Sequence, residues 1–205
     1  MAQDLKPTRS ELMKLKKSIK LAQAGYNLLK KKRDGLILEF FDTLKKAKTV
    51  RSELTAEYIK AKRRISIAES IDGALTVQSY AMALKACPDL ALSRKNVMGV
   101  VVPKISSAGK IVKHMPERGY GLVSSSSRID EAAYAYENVV EKVVLAAEVE
   151  TTILKLLDEI EKTKRRVNAL EFSVIPKMKE QAKFIRLRLE EMERENVFRL
   201  KRMKK

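Results

Sequence analysis

The chain has 205 residues, with 43 Lys+Arg against 26 Asp+Glu and a formal charge of +17. Charged residues make up 34%, aromatics only 5%, and there is no tryptophan, so the composition suits long amphipathic helices better than one round core. Seven glycines and five prolines are too few for an all-β or disordered chain.

A single cysteine, Cys87, excludes an internal disulfide and fits a reducing compartment. No apolar run approaches the roughly 18–20 residues that a membrane span needs. The opening MAQDLKPTRS has no apolar signal segment, so a soluble cytoplasmic protein is expected, able to dock on a membrane complex. The charge is uneven. Residues 1–70 hold 18 basic and 8 acidic side chains, a net of +10; residues 71–129 hold 8 and 3, a net of +5; residues 130–205 hold 17 and 15, a net of +2. The first third therefore asks for an acidic partner.

Thr8-Arg9-Ser10-Glu11 reads as a capping box that opens the first helix. From Leu12 a heptad seam runs through Leu15, Ile19, Ala22, Tyr26, Leu29, Arg33, Leu36, Phe40, Thr43, Ala47, Val50 and Leu54, 11 of 13 positions apolar. Two four-residue steps, to Leu54 and Tyr58, form a stutter before Ala61, Ile65 and Ala68. The helix is expected to end near Ser70, with Gly73 in its stop region. Gly25 and Gly35 lie inside it at about 1 kcal/mol each relative to alanine; close approach of a neighbouring backbone is the expected reason, with a functional bend as the alternative.

Residues 71–129 differ in character. Thr76 to Ala86 predicts a short helix stopped by Pro88, and Val97-Met98-Gly99-Val100-Val101-Val102 is the one β-like run, closed by Pro103. A small hairpin or extended loop is expected within 89–106. Gly109, Pro116, Gly119, Gly121 and the serines from Ser124 to Ser127 mark irregular chain. Ser127-Arg128-Ile129-Asp130 resembles a second capping box.

From Asp130 to Met203 one helical pattern follows, with a single proline, Pro176, and no glycine. Its stripe is Val139, Val143, Ala146, Ile153, Leu157, Ile160, Val167, Leu170, Val174, Met178, Ala182, Ile185, Leu189 and Met192. Seventy-odd helical residues would reach roughly 110 Å, so this helix must lie against the first one. Asp158 with Lys162, Glu161 with Arg165, Glu190 with Arg194, and Glu195 with Arg199 form supporting i,i+4 pairs. Pro176 should kink or offset the helix locally. The fold expected is all-α: an antiparallel two-helix coiled coil of residues 1–70 and 130–205, capped at one end by a small mixed region, 71–129.

Signals for catalysis are weak. The chain has no GxxxxGK[ST] phosphate loop, and Gly119-Tyr120-Gly121 is a lone GxG in loop. One histidine, His114, and one cysteine cannot assemble a zinc site. Glu190-Glu191 and Asp158-Glu159 read as solvated helix faces, and Met178 and Met192 as core fillers. No cofactor is expected. The basic runs Lys30-Lys31-Lys32-Arg33, Arg63-Arg64 and Arg165-Arg166 lack interleaved aromatics. They divide between a solvated coiled-coil face and a dock for an acidic protein surface. A basic coiled-coil adaptor for nucleic acid or an anionic surface is the alternative from another class.

Three stretches carry a resemblance: Pro7-Thr8-Arg9 with Gly25-Tyr26-Asn27-Leu28-Leu29-Lys30-Lys31-Lys32-Arg33-Asp34; Arg165-Arg166-Val167-Asn168-Ala169-Leu170-Glu171 running on to Val174-Ile175-Pro176; and Phe184-Ile185 through Leu189-Glu190-Glu191, Glu193-Arg194-Glu195 and Phe198-Arg199-Leu200-Lys201. With them the sequence resembles the D subunits of the archaeal-type (A-type) and vacuolar-type rotary ATPases. In the middle only Lys95-Asn96-Val97-Met98-Gly99 and Pro103 are similar. The resemblance implies a non-catalytic central rotor shaft, peripheral on the cytoplasmic face of the membrane. Its paired helices would enter the ring of catalytic A and B subunits. Its middle would meet the F subunit and the C subunit above the proteolipid ring, with no nucleic acid bound and no insertion into the membrane. Contact with the catalytic ring is expected through Lys30, Lys31, Lys32, Arg33, Arg165, Arg166, Glu190 and Arg194. Coupling is expected through Val97, Met98, Gly99, Val100, Val101 and Val102.

Overall fold

A computed structural model describes residues 7–84, 89–107, 109, 111–113, 118–120 and 125–204. Ala86, Cys87, Pro88, His114, Pro116, Gly121 and Ser124, singled out by the sequence pattern, lie outside the described residues. The elements are α1 (Arg9–Asp72), α2 (Ala74–Ala83), β1 (Leu90–Val97), β2 (Val100–Ser107), α3 (Ser127–Ala169), a five-residue π-helical turn (Leu170–Val174) and α4 (Ile175–Met203). They form two compact units, Met1–Ile37 with Glu159–Lys205, and Leu38–Asp158. The described residues are thus all-α apart from one hairpin, with a long helix toward each end of the chain.

The helices run antiparallel within each unit. In the first unit Arg9 pairs with Glu193, and Lys32 Nζ lies 3.2 Å from Glu159 Oε1. In the second, Lys142 Nζ lies 2.7 Å from Glu53 Oε2, and Arg64 Nη1 donates to the Glu131 carbonyl at 3.5 Å. In both, rising numbers on one helix meet falling numbers on the other.

The α1 seam agrees with its heptads. Leu36, Ala61 and Ala68 are fully buried, whereas Tyr58, at the second step of the stutter, is 47% exposed. The Glu11 N–H donates to Thr8 Oγ1 at 3.2 Å, half of the predicted capping box; the Glu11 carboxylate accepts from Lys14 instead of reaching back. At the other end Gly73 has φ 87° and ψ 143°, backbone essentially reserved for glycine, and its N–H closes on the Glu69 carbonyl at 3.1 Å. There α1 stops and α2 starts.

The seam of α3 needs correction. Leu156 and Thr163 are buried, while Val143 and Leu157 are exposed. Two adjacent leucines are equally apolar, and alternating steps of three and four from Ile153 through Ile160 to Val167 select Leu156 and Thr163. The threonine is tolerated because its hydroxyl donates to the Glu159 carbonyl at 2.7 Å. Met192 is also exposed, so it fills no core within this chain, whereas Met178 is half-buried.

The α3 cap also differs. Ser126, not Ser127, accepts the Arg128 N–H on its hydroxyl at 3.3 Å, and Asp130 is engaged elsewhere. Pro176 offsets the last helix as expected. Immediately before it, the Ile175 N–H donates to the Leu170 carbonyl five residues back. This widened turn accommodates the proline's missing donor without breaking the helix. Gly25 has open space where a Cβ would stand, so close approach of a neighbour within the chain is not its reason.

β1 and β2 pair antiparallel from Val97↔Val100 out to Leu90↔Ser107. Met98 (φ 50°) and Gly99 (φ 86°) form the two-residue turn, both left-handed, and the Gly99 N–H donates to Asn96 Oδ1 at 2.9 Å. The β-like run is therefore the turn and its flanks, not one strand. Pro103 does not close the strand; it stands within β2 opposite Arg94.

Candidate functional site

The basic cluster of α1 divides by direction. Lys30 and Lys31 are exposed, and Lys30 Nζ sits 5.9 Å from the centre of the Tyr26 ring. Lys32 is half-buried and tied to Glu159 on α3, and Arg33 directs Nε and Nη2 to Asp34 Oδ1 at 3.1 and 2.9 Å. The seam position of Arg33 explains its partial burial: its stem packs while its charge reaches the edge. Two of the four cations are thus held within the chain, and two point away from it.

On α3, Arg165 pairs with Glu161 at 3.0 Å, fully on the surface, and Arg166 is exposed in the last turn. On α4, Glu190 accepts from Arg186 Nε at 2.9 Å and not from Arg194, a correction to the sequence pairing. Arg194 instead helps to line a shallow groove with Glu190, Glu193, Val197 and Phe198. Glu195 and Arg199 are 4.0 Å apart, as their spacing predicts. Beyond Glu193, Val197, Phe198, Leu200 and Met203 are 52–84% exposed, apolar side chains that no described residue covers, set among Arg199, Lys201 and Arg202.

In the unit Leu38–Asp158 the described residues hold a network that sequence reasoning missed. Arg118 is 4% exposed. Its Nε and Nη2 fork onto the two oxygens of Glu137 at 2.9 and 3.0 Å, and its Nη1 donates to the Asp130 carbonyl at 3.2 Å. The Tyr120 hydroxyl donates to Asp130 Oδ1 at 2.5 Å, and the Lys113 N–H to Glu137 Oε2 at 3.2 Å. Asp130 and Glu137 are seven residues apart, hence on one face of α3. The network clips the segment after the hairpin to that face.

Burial opposes the Arg118 charge, but its hydrogen bonds to Glu137 and Tyr120 outweigh this and raise its pKa. Burial, reinforced by the bond to Asp130, pushes the Tyr120 pKa upward. The one signal in the sequence is an Arg-Gly-Tyr in loop facing acids at i and i+7 on the next helix. Tyr120 also stacks edge-on with Tyr80 at 5.7 Å and helps to line a cavity of about 190 Å³ with Ile65, Ala68, Val77 and Tyr136. The walls carry no carboxylate, histidine or cysteine; their polar groups are the hydroxyls of Tyr80, Tyr120 and Tyr136.

Among the described residues no group of three His, Cys, Asp or Glu could hold a metal ion, and no helix is long and apolar enough to cross a membrane. The exposed features of the described residues are Lys30 and Lys31 on α1, the apolar side chains near the end of α4, and the strand β1 of the hairpin.

The family model that describes the D subunit of ATP synthase matches residues 11–205. The chain belongs to the ATP synthase D subunit family. It is 64% identical to the A-type ATP synthase D subunit of Methanococcoides burtonii, over all of this chain and 98% of that one. It is 59% identical to the protein of the same name from Methanosarcina mazei, over 98% of this chain and 96% of that one. The Archaeoglobus fulgidus relative, 52% identical, covers the same shares. Membership of an ATP synthase favours docking to protein partners over the nucleic-acid adaptor. It also agrees with a peripheral subunit in a complex that makes ATP and moves ions.

Proposed function

We propose that this chain is the central shaft of an A-type ATP synthase. It carries torque between the ion-translocating ring in the membrane and the catalytic ring of A and B subunits, and performs no catalysis itself. The observation that carries the reading is the uncovered apolar end of α4, from Val197 to Met203. Exposed apolar surface of this kind marks a protein contact; Arg199, Lys201 and Arg202 stand between these side chains, so a sleeve formed by the catalytic ring would hold the end by apolar contact beside weak, exposed charges.

The ion pairs of the surrounding helices support the same reading. Arg165–Glu161, Arg186–Glu190 and Arg188–Glu191 are exposed pairs within one helix, each worth about 0–1 kcal/mol, and none offers a strong fixed anchor to a neighbour. Residues 71–129 then form the membrane-side cap, where the F subunit and the C subunit above the proteolipid ring would meet the hairpin. The shaft would stand on the cytoplasmic face, bound peripherally and driven by protons or sodium ions.

A bead attached to this chain in surface-held, reconstituted complex tests the proposal. Stepwise rotation on addition of ATP is expected. Sustained hydrolysis with a stationary bead would remove the shaft role.

A further inference from the structure

The two edges of the hairpin are treated differently. With Val97↔Val100 as the bonded pair next to the turn, bonded and non-bonded pairs alternate outward. In β2 the outward positions are therefore Val101, Pro103, Ile105 and Ser107. Pro103 has no N–H to offer, and the Ile105 N–H already donates to Glu148 Oε2 of α3 at 3.1 Å. The outer edge of β2 is thus obstructed in its middle.

β1 has neither device. Its outward positions are Leu90, Leu92, Arg94 and Asn96, with no proline, no bulge, and every residue from Leu90 to Asn96 exposed. Leu92 is 75% exposed beside that edge. An exposed edge of this length is a template for one more strand, and its charges, Arg94 and Lys95, discourage a like-charged strand while leaving the edge open to an acidic one. The hairpin, residues 90–107, carries Arg94, Lys95 and Lys104 and no acid.

We propose that the outer edge of β1 is a docking edge: an extended, carboxylate-bearing segment of a neighbouring ATP synthase subunit adds to the hairpin as a third strand. Backbone bonds to Leu92, Arg94 and Asn96 supply the pairing, and Arg94 and Lys95 select acidic over basic segments. A second copy of β1 is a poor occupant, because edge-to-edge pairing would gather four cations with no acid between them. The inference deepens the coupling role given to Val97–Val102 and rests on that reading only for the position of the hairpin in the complex.

The test is amide hydrogen exchange, resolved to single residues, on the isolated full chain and on the assembled ATP synthase. In the isolated chain the amides of Ser93, Lys95 and Val97 should be slow and those of Leu92, Arg94 and Asn96 fast. In the complex the outward three should slow by about tenfold or more. Outward amides as fast in the complex as in the isolated chain would overturn the proposal. So would slowing that appears in the isolated chain and grows with its concentration, which is self-pairing.

Leu92→Pro removes one outward donor and, like Pro103, leaves the ladder intact. It should abolish the slowing at Arg94 and Asn96 while Lys95 and Val97 stay slow; slowing that survives it sinks the idea. Arg94→Glu with Lys95→Glu should reduce the slowing about tenfold or more, and no change would overturn the acidic partner. ATP hydrolysis by the same complexes separates the two readings. Slowing without any effect on coupling keeps the docking edge and removes the coupling role, and altered coupling without slowing does the reverse.

Discussion

Take away the Arg118 guanidinium and two carboxylates lose the cation they share, Glu137 at 17% and Asp130 at 11% side-chain exposure. Arg118→Ala should therefore destabilise the unit Leu38–Asp158 by about 3–5 kcal/mol, read as a lower denaturation midpoint. Arg118→Lys should recover little, because an ammonium cannot fork onto both Glu137 oxygens while reaching the Asp130 carbonyl. Tyr120 adds a pH dependence. Its folded pKa is raised, so the stability tied to its proton is intact below its ordinary value and is lost as pH rises above about 10. Tyr120→Phe should flatten that alkaline loss while lowering stability near neutrality through the missing bond to Asp130; an unchanged alkaline slope would remove Tyr120 as its source. Beyond the Arg-Gly-Tyr and the two acids seven residues apart, the sequence gives no sign of these roles. Nothing in the order of residues tells that a loop arginine will be 4% exposed, since burial depends on which face of α3 the returning chain meets.

The long elements are legible because a heptad seam is a local property. The α1 seam and its end at Gly73 follow from spacing and from a backbone conformation that only glycine adopts easily. The α3 seam is ambiguous in sequence where Leu156 and Leu157 stand side by side and where Thr163 is polar yet buried. The π turn can be foreseen only as an offset, since Pro176 dictates that a bond is missing but not how the helix absorbs it. The hairpin is legible as a β-like run, but its turn is hidden there, because the valines around Met98-Gly99 outweigh it. Two predictions belong to these elements. Apart from its chain neighbours and the helix's own backbone, nothing lies within 4 Å of the point where a Cβ on Gly25 would stand, so Gly25→Ala should stabilise the isolated chain by about 1 kcal/mol, measured by denaturant unfolding; destabilisation would mean that glycine serves a bend. Replacing Val97–Val102 with a Gly/Ser linker should leave α1 and α3 folded by circular dichroism yet change the ATPase rate or its coupling. Wild-type rate, coupling and binding of the F subunit together would cancel the coupling role.

Across the whole molecule the charge is +17, and the first 70 residues hold a net of +10. Such a surface attracts an acidic partner over a Debye length of about 8–10 Å and loses that attraction in salt. Lys30 and Lys31 are the outward cations of the cluster, whereas Lys32 is joined to Glu159 and Arg33 to Asp34. The two kinds of lysine should therefore fail differently. Lys30→Glu with Lys31→Glu should leave the isolated chain's stability within about 1 kcal/mol, allowing for the lost contact of Lys30 with Tyr26. The same pair should weaken assembly and make ATP hydrolysis by the reconstituted soluble complex more sensitive to salt. Lys32→Glu sets a carboxylate against Glu159 and should lower the isolated chain's own stability by about 1 kcal/mol, with little change in the salt dependence of hydrolysis. A double variant that matches wild type at every salt concentration would make Lys30 and Lys31 solvated residues and nothing more. If Lys32→Glu alone reproduced the salt effect, contact with the catalytic ring would lie on the face that α1 shares with Glu159, and the outward lysines would lose their role.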